Sequence, residues 1–289
     1  VGSEMCIRDR CYQMTGQLAW SDVWIMGYGV DERGEKMSKS KGNVIDPFPI
    51  IAKYGADAFR FWSAAEANLG QDFRCSEQKI AEAQKFLTKL WNVGRFISSF
   101  DVTSVSPGDL LPTDRWILAE LARLVDRCLK GYRELNFFIP STSLKEFTWN
   151  LFASHYLELA KSRAYNKNEP SGYLSALYTL HKCFSTILLL LSPICPFISE
   201  KLWTTLYSSN SIHTQPLPVV ENTFEDMCQY SYLLTEFNSM VWNKKKETIS
   251  KNTSRSLSLR DPIRINVPDE LRQFKSDLIE MHNLQISSS

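Results

Sequence analysis

The sequence lacks the cysteine pattern of a metal site or a disulfide framework. Its 289 residues include seven cysteines, an odd number, and no two of them form a C-x-x-C pair. Zinc sites and disulfide-stapled secreted domains use closely spaced or paired cysteines, so this pattern argues against both. We therefore expect no metal site and no zinc in this chain, with reduced thiols in a cytoplasmic protein.

The sequence also lacks a hydrophobic run long enough to cross a membrane. Its most apolar stretch, ILLLLSPICPFI at 187–198, contains Pro193 and Pro196. A membrane-spanning helix needs about 20 predominantly apolar residues, so this stretch is too short. It predicts a core helix that ends at Pro193 and a second helix that starts at Pro196, and we expect no membrane partner.

The formal net charge of the chain is only +1, so any contact with nucleic acid must come from local patches of cations. With 44% hydrophobic and 22% charged residues, the composition is typical of a folded protein. The first ten residues, VGSEMCIRDR, have no apolar core of a signal peptide and no clear periodicity. We interpret residues 1–13 as a non-native leader outside the fold.

One loop, residues 34–43, is rich in lysine, and we call it the lysine loop. The stretch GEKMSKSKGN at 34–43 follows a predicted strand at 22–30 and contains three lysines and two serines between glycines. Mobile ammonium groups and hydroxyl donors on a glycine-bounded loop suit a polyphosphate. The alternative from composition alone is a solvated lysine loop.

From Ser76 onward the periodicity becomes helical. Apolar residues at helical spacing predict about four long helices between residues 76 and 206, joined by short polar loops. Further helices are predicted at 47–53, from Asp57, at 224–250 and at 268–285, with a short strand at 260–268. We expect Trp91, Trp116, Trp149 and Trp203 in the core, and His155 and His181 as structural histidines without metal or catalytic partners.

Two motifs carry a resemblance to a known family. The string KMSKS at 36–40, before GNVIDP, resembles the signature loop of the class I aminoacyl-tRNA synthetases, and YGADAFRFW at 54–62 resembles the region that follows it there. The resemblance implies a mainly α chain: a remnant of a Rossmann-like catalytic domain at 14–75, an antiparallel α-helical anticodon-binding bundle at 76–206, and a small C-terminal α/β extension at 207–289.

The helical stretches resemble the valyl group of this family, in its archaeal-type form. They include GQDFRCSEQKIAEAQKFLTKLWNVGRFI at 70–97 and EFTWNLFASHYLELAKSRAY at 146–165. The isoleucyl group, a tRNA-binding module without chemistry and a helical scaffold stay open as alternatives. No H-x-G-H string surrounds any of the four histidines. We therefore expect a C-terminal fragment, inactive alone, that lacks the other half of the active site and the editing domain.

The resemblance also implies roles for the loop residues. Lys39 is expected to contact the phosphates of ATP during catalysis with Lys36 in support, Ser38 and Ser40 to bind phosphate or hold the loop shape, and Met37 to anchor the loop on apolar surface. Lys41 lies outside the signature and is expected to be surface charge. The implied substrates are ATP with Mg²⁺, valine and a valine tRNA; DNA is not expected as a partner.

Candidate RNA contacts are less sharply defined. The run NKKKETISKNTSRSLSLR at 243–260 carries four lysines and two arginines against one glutamate, and a solvated surface is the alternative. The expected contacts are Arg95, Lys161, Arg163, Lys244, Lys245 and Lys246, with Lys167 as a further candidate. Asp46 and Asp57 are expected in turn or cap roles, and Asp72 has no catalytic role in the implied reaction.

Overall fold

A computed structural model of the chain describes residues 2–23, 25–103, 109–251 and 261–285, and these are mainly helical, as predicted. Predictions for the loop around 104–108 and for the basic run beyond Lys251 lie outside the described residues. The N-terminal residues form helix α1 (Gly2–Thr15), which is largely exposed from residue 6 onward.

The segment before the long helices is mostly irregular, and the predicted strand at 22–30 is wrong in length. Strand β1 covers only Gly29–Val30 and pairs in parallel with strand β2 (Phe73–Arg74). Upstream of β1 only one isolated bridge is present in the described part, between Met26 and Leu69. A strand extends only as far as its partner does, and the partner segment at 69–75 is short.

Gly27 allows the backbone around it to approach the segment at 69–75 closely. A Cβ atom at that position would lie 2.0 Å from the carbonyl oxygen of Gln71. The backbone N–H of Tyr28 then donates to the Asp72 carboxylate at 2.7 Å. Asp72 therefore has a structural role next to the lysine loop.

Two short helices follow the loop, as the sequence predicts. Helix α2 (Pro47–Tyr54) starts after Asp46, whose carboxylate accepts from the N–H of Phe48 at 3.0 Å, so the predicted cap is confirmed. Gly55 then separates α2 from helix α3 (Ala56–Glu66).

The helical region spans residues 77–206, and its helices pack around one apolar core. They are α4 (Glu77–Ile97), α5 (Pro112–Arg133), α6 (Phe138–Glu146), α7 (Leu157–Tyr165), α8 (Pro170–Leu191) and α9 (Pro196–Leu206), with a π-helix (Phe147–Tyr156) joining α6 to α7. The helices, and the break between α8 and α9 at the prolines, confirm what the apolar spacing predicts.

Details inside this region differ from prediction. Trp116 is fully buried and Trp149 and Trp203 are partly buried, but Trp91 is 39% exposed because it lies on the outer side of α4. His155 and His181 are buried as expected; the ring nitrogens of His181 contact the Tyr207 hydroxyl and the Phe100 carbonyl. The prediction that no run is long enough to cross a membrane is wrong, because it considered only residues 187–198: by length and composition the whole of α8 could cross one. Most of α8 is buried inside the protein, as in the core helix of a folded domain.

The C-terminal residues fold onto the helical region. Helix α10 (Ser231–Lys251) and helix α11 (Lys275–His282) pack there, and strands β3 (Ile263–Arg264) and β4 (Leu284–Gln285) pair in parallel. A buried polar chain joins α10 and α11 to the π-helix. The His282 Nε2 contacts the Asn238 Oδ1 at 2.8 Å, and the Asn238 amide nitrogen contacts the His155 Nδ1 at 3.2 Å.

Candidate functional site

The lysine loop folds back on strand β1. Asp31 to Gly34 form a turn in which Gly34, at φ 85°, donates its N–H to the Asp31 carbonyl at 3.0 Å. The N–H of Met37 then donates to the Gly29 carbonyl at 3.3 Å, and the Met37 side chain packs against the core. The predicted apolar anchor is confirmed, and it fixes the base of the loop.

The outer part of the loop is a single turn of 3₁₀ helix, Lys39–Lys41. Ser38 is its N-cap, with its hydroxyl oxygen accepting from the Lys41 N–H at 3.3 Å and lying 3.2 Å from the Ser40 hydroxyl. Gly42 ends the turn at φ 66°, which favours glycine. Of the two roles left open for the serines, the structure therefore shows the one that holds the loop shape.

A carboxylate and an amide hold the two sides of the loop together. Asp31 Oδ1 accepts from the backbone N–H groups of Arg33 (3.0 Å) and Glu35 (2.8 Å), and Asp31 Oδ2 accepts from Asn43 Nδ2 at 2.9 Å. These hydrogen bonds, that from Asn43 foremost, lower the pKa of Asp31. Sequence reasoning missed this pair, although aspartate at the first position of a turn was a usable signal.

The three lysines of the loop have different surroundings. The Lys36 ammonium lies 3.7 Å from the centre of the Tyr28 ring, and Lys41 forms an exposed ion pair with Glu35 at 3.1 Å. Lys39 is exposed at the tip of the turn, and no carboxylate among the described residues pairs with it. An unpaired cation on a shaped, exposed turn can approach an anionic ligand without first breaking an ion pair.

Two charged residues of α3, which follows the lysine loop and α2, contact the helical region. Arg60 donates to the carbonyls of Ile194 (2.8 Å) and Pro193 (3.1 Å), and the buried Asp57 accepts from the N–H groups of Ile198 (2.7 Å) and Phe197 (3.4 Å). Asp57 is therefore a cap, as predicted, but of the distant helix α9 and not of its own helix. Burial raises its pKa despite these bonds.

Two of the predicted RNA contacts are wrong because their side chains are buried. The Arg163 guanidinium forms ion pairs with Asp114 at 2.9 Å and Asp277 at 3.0 Å, so it cannot face phosphate. The Lys245 ammonium donates to the His282 carbonyl at 2.7 Å, and its side chain is buried. Arg95, Lys161, Lys167, Lys244 and Lys246 are not buried, so their contact with RNA stays a prediction.

Three aromatic rings cluster around Phe100, and one of them belongs to Phe96, which follows Arg95 in the sequence. The ring of Phe100 is 5.2 Å from both Phe96 and Tyr165, and Tyr165 is 61% exposed. Phe96 and Phe100 are partly buried against the core, so Tyr165 is the exposed ring of the three. An exposed aromatic ring is the kind of platform on which unstacked bases of RNA stack. We define Phe96, Phe100 and Tyr165 as the aromatic surface; the sequence alone did not indicate it.

Among the described residues no group of three His, Cys, Asp or Glu side chains is placed to hold a metal ion.

Comparison with protein families matches two parts of the chain. Residues 114–260 match the family described as anticodon-binding domain of tRNA ligase, which is just over half of the chain. Residues 9–76 match tRNA synthetases class I (I, L, M and V), so the lysine loop lies within that match.

Curated relatives that match most of this chain are valine–tRNA ligases. The chain is 39% identical to the valine–tRNA ligase of Nanoarchaeum equitans over 276 residues, covering 96% of this chain and 35% of the relative. It is also 39% identical to that of Aeropyrum pernix, covering 96% and 34%. The chain thus spans about a third of the length of the curated relatives it matches.

A solved ternary complex of Agrobacterium radiobacter K84 agnB2 LeuRS with tRNA and LeuAMS has a similar fold. It aligns with a TM-score of 0.57 at 20% identity, over 76% of this chain and 27% of that chain. Mycobacterium tuberculosis methionyl-tRNA synthetase in complex with methionyl-adenylate aligns with a TM-score of 0.51 at 19% identity, over 61% and 36%.

Proposed function

We propose that this chain, which belongs to the class I tRNA synthetases with an anticodon-binding domain, is the part of a cytoplasmic valine–tRNA ligase that carries the KMSKS loop and binds tRNA. Residues 14–75 would be the end of a Rossmann-like catalytic domain and residues 76–206 an antiparallel anticodon-binding bundle. The reaction joins the valine carboxylate to the α-phosphate of ATP, releases pyrophosphate, and passes the valyl group to the 3′ end of the tRNA.

The observation that carries the catalytic part is the exposed ammonium of Lys39, unpaired among the described residues, on a turn whose shape is held by Ser38 and Gly42. As the bond to pyrophosphate breaks, negative charge grows on the leaving phosphate oxygens. A cation that meets this charge in the transition state lowers the barrier. Lys36, whose ammonium lies 3.7 Å from the centre of the Tyr28 ring, would support Lys39 in this role. Mg²⁺ arrives with ATP as part of the substrate.

The test of this role is Lys39→Ala in the full-length enzyme, measured by valine-dependent exchange of pyrophosphate into ATP. Loss of one transition-state charge contact slows such reactions by about 10²–10³-fold. Lys41→Ala is the matched control, since Lys41 is paired with Glu35 and we expect almost no change. An unchanged rate for Lys39→Ala would remove it from the reaction, and exchange with isoleucine in place of valine would reassign the substrate.

The tRNA-binding part rests on the aromatic surface and the neighbouring Arg95. Stacking of a base on an aromatic side chain contributes about 1–3 kcal/mol. We expect Tyr165→Ala to weaken binding of a valine tRNA to this chain by about tenfold or more, measured by fluorescence anisotropy. Tyr232→Ala, also an exposed tyrosine but on α10, is the control.

Two outcomes of the binding experiment would count against this proposal. Equal affinity for tRNA and duplex DNA would mean that the helical region does not read an unstacked loop. Tight tRNA binding combined with no valine-dependent exchange by the full-length enzyme would favour a tRNA-binding module without chemistry.

A further inference from the structure

Asp31 and Asn43 lie at opposite sides of the lysine loop, twelve residues apart, and the bonds of the two side chains are divided by atom. Among the described residues, Asp31 Oδ1 accepts only from backbone N–H groups of the turn, those of Arg33 and Glu35. Asp31 Oδ2 accepts from Asn43 Nδ2. One oxygen thus fixes the turn before the motif, and the other joins that turn to the end of the loop.

Asn43 divides its bonds in the same way. Its Oδ1 accepts from the Ser38 N–H at 2.9 Å, and its Nδ2 donates to Asp31 and also lies 3.4 Å from the Lys36 carbonyl. Asn43 therefore holds the backbone on both sides of Met37, and Met37 is itself held by Gly29. Both signature lysines, Lys36 and Lys39, are next to backbone atoms that this amide holds.

We propose that Asp31 and Asn43 form a latch that sets the conformation of the loop and so positions Lys36 and Lys39 for the phosphate groups of ATP. They are positioning residues, since neither needs to touch ATP. A group that is held ready in its working geometry loses less conformational freedom when it meets the transition state. This inference rests on the proposed function, because it assumes that the loop serves valine activation.

The division of bonds by atom permits a sharp test by exchanging the two residues. In Asp31→Asn alone, an amide nitrogen or a rearranged side chain faces the Asn43 amide, so the latch loses its donor–acceptor match. In Asn43→Asp alone, two carboxylates face each other. In the double variant Asp31→Asn/Asn43→Asp, the amide at 31 donates to the carboxylate at 43, and both backbone partners of position 31 and the Ser38 N–H keep their acceptors. Only the long 3.4 Å contact of position 43 with the Lys36 carbonyl loses its donor.

We expect each single variant to lower kcat/KM for ATP in valine-dependent pyrophosphate exchange by about tenfold, the scale of one lost hydrogen bond in a reacting complex. We expect the double variant to recover most of that loss. The KM for valine is expected to stay constant in all forms, which separates positioning of the loop from general damage to the fold. Glu35→Gln, which removes only the surface pair with Lys41, is the control.

A second measurement uses the 289-residue chain itself and needs no activity. Trypsin cleaves after the loop lysines, and we expect faster cleavage there in each single variant and a rate near that of the unmodified chain in the double variant. Equal rates of pyrophosphate exchange and of trypsin cleavage in all forms, or additive losses in the double variant, would overturn the latch. Either result would leave the proposed function of the chain unaffected. Absence of valine-dependent exchange in the unmodified full-length enzyme would instead overturn the proposed function, and the ATP role of the latch with it.

Discussion

The lysine loop and the ion cluster around Arg163 use positive charge in opposite ways. In the loop, Lys39 and Lys41 are exposed, and the polar bonds that shape the loop join residues at most twelve positions apart. In the cluster, Arg163 is buried and its partners Asp114 and Asp277 are 49 and 114 positions away. The loop leaves cations available to a ligand, whereas the cluster uses one to join α5, α7 and α11.

The largest effect expected from this comparison is on stability. Arg163→Met would leave Asp114 and Asp277 buried without their cation, and removing one partner from a buried ionic group typically costs about 3–5 kcal/mol. We expect a decrease of that size in the free energy of unfolding, measured by urea denaturation at pH 7.

Lys161→Met, on the same helix, is the control for this prediction. Lys161 pairs with Glu158 at 3.4 Å in an exposed position, and exposed pairs contribute less than about 1 kcal/mol. If both variants were equally stable, Arg163 would not have the structural role that its surroundings indicate.

The same comparison explains what the sequence could and could not predict. The loop and its glycine turns depend on neighbouring residues, and both are predicted from the sequence. The Met37 anchor packs against the core, and it is predicted because an unbranched apolar side chain usually has that role. The burial of Arg163 was not, because AKSRAY alone gives no sign of a carboxylate 114 positions away. Asp57 shows the intermediate case: aspartate in a first helical turn suggested a cap, but only tertiary packing shows that the capped helix is α9.

The next effect concerns acid stability and the buried contact of α11 with α10. Burial, with smaller contributions from Lys245 and His155, lowers the pKa of His282 to about 4. Because the unfolded side chain titrates near 6.5, the unfolded state gains the proton first as pH falls. The folded protein should therefore lose stability between pH 6.5 and 4, by about 2–3 kcal/mol from this group.

The measurement is the free energy of unfolding at pH 7 and pH 4.5 for the unmodified chain and for His282→Asn, which should lose less stability on acidification. His213→Asn, at an exposed histidine, is the control and should behave as the unmodified chain does. Asp57 and Asp277, whose pKa values burial raises, act in the opposite direction, so the difference between variants is the quantity to compare. An identical acid loss in His282→Asn would contradict the prediction.

The smallest expected effect separates buried from exposed lysines within one short run on α10. Lys244 and Lys246 are exposed, whereas the ammonium of Lys245, between them, is bound to the His282 carbonyl. If this run holds tRNA through phosphate contacts, only the two exposed lysines can contribute. Each phosphate contact removed should lower the slope of log affinity against log salt by about 1.

We therefore expect Lys244→Ala/Lys246→Ala to weaken tRNA binding by this chain and to lower its salt slope by about 2. Lys245→Met should leave both nearly unchanged, and its effect should appear in unfolding, since a charge-assisted hydrogen bond contributes about 1.5–3 kcal/mol. A salt titration of tRNA binding for the three forms makes the measurement. Parallel salt slopes and equal affinities would show that Lys244 and Lys246 are solvated surface charge. Weakened tRNA binding by a well-folded Lys245→Met variant would show that burial of a lysine does not prevent it from contributing to RNA binding.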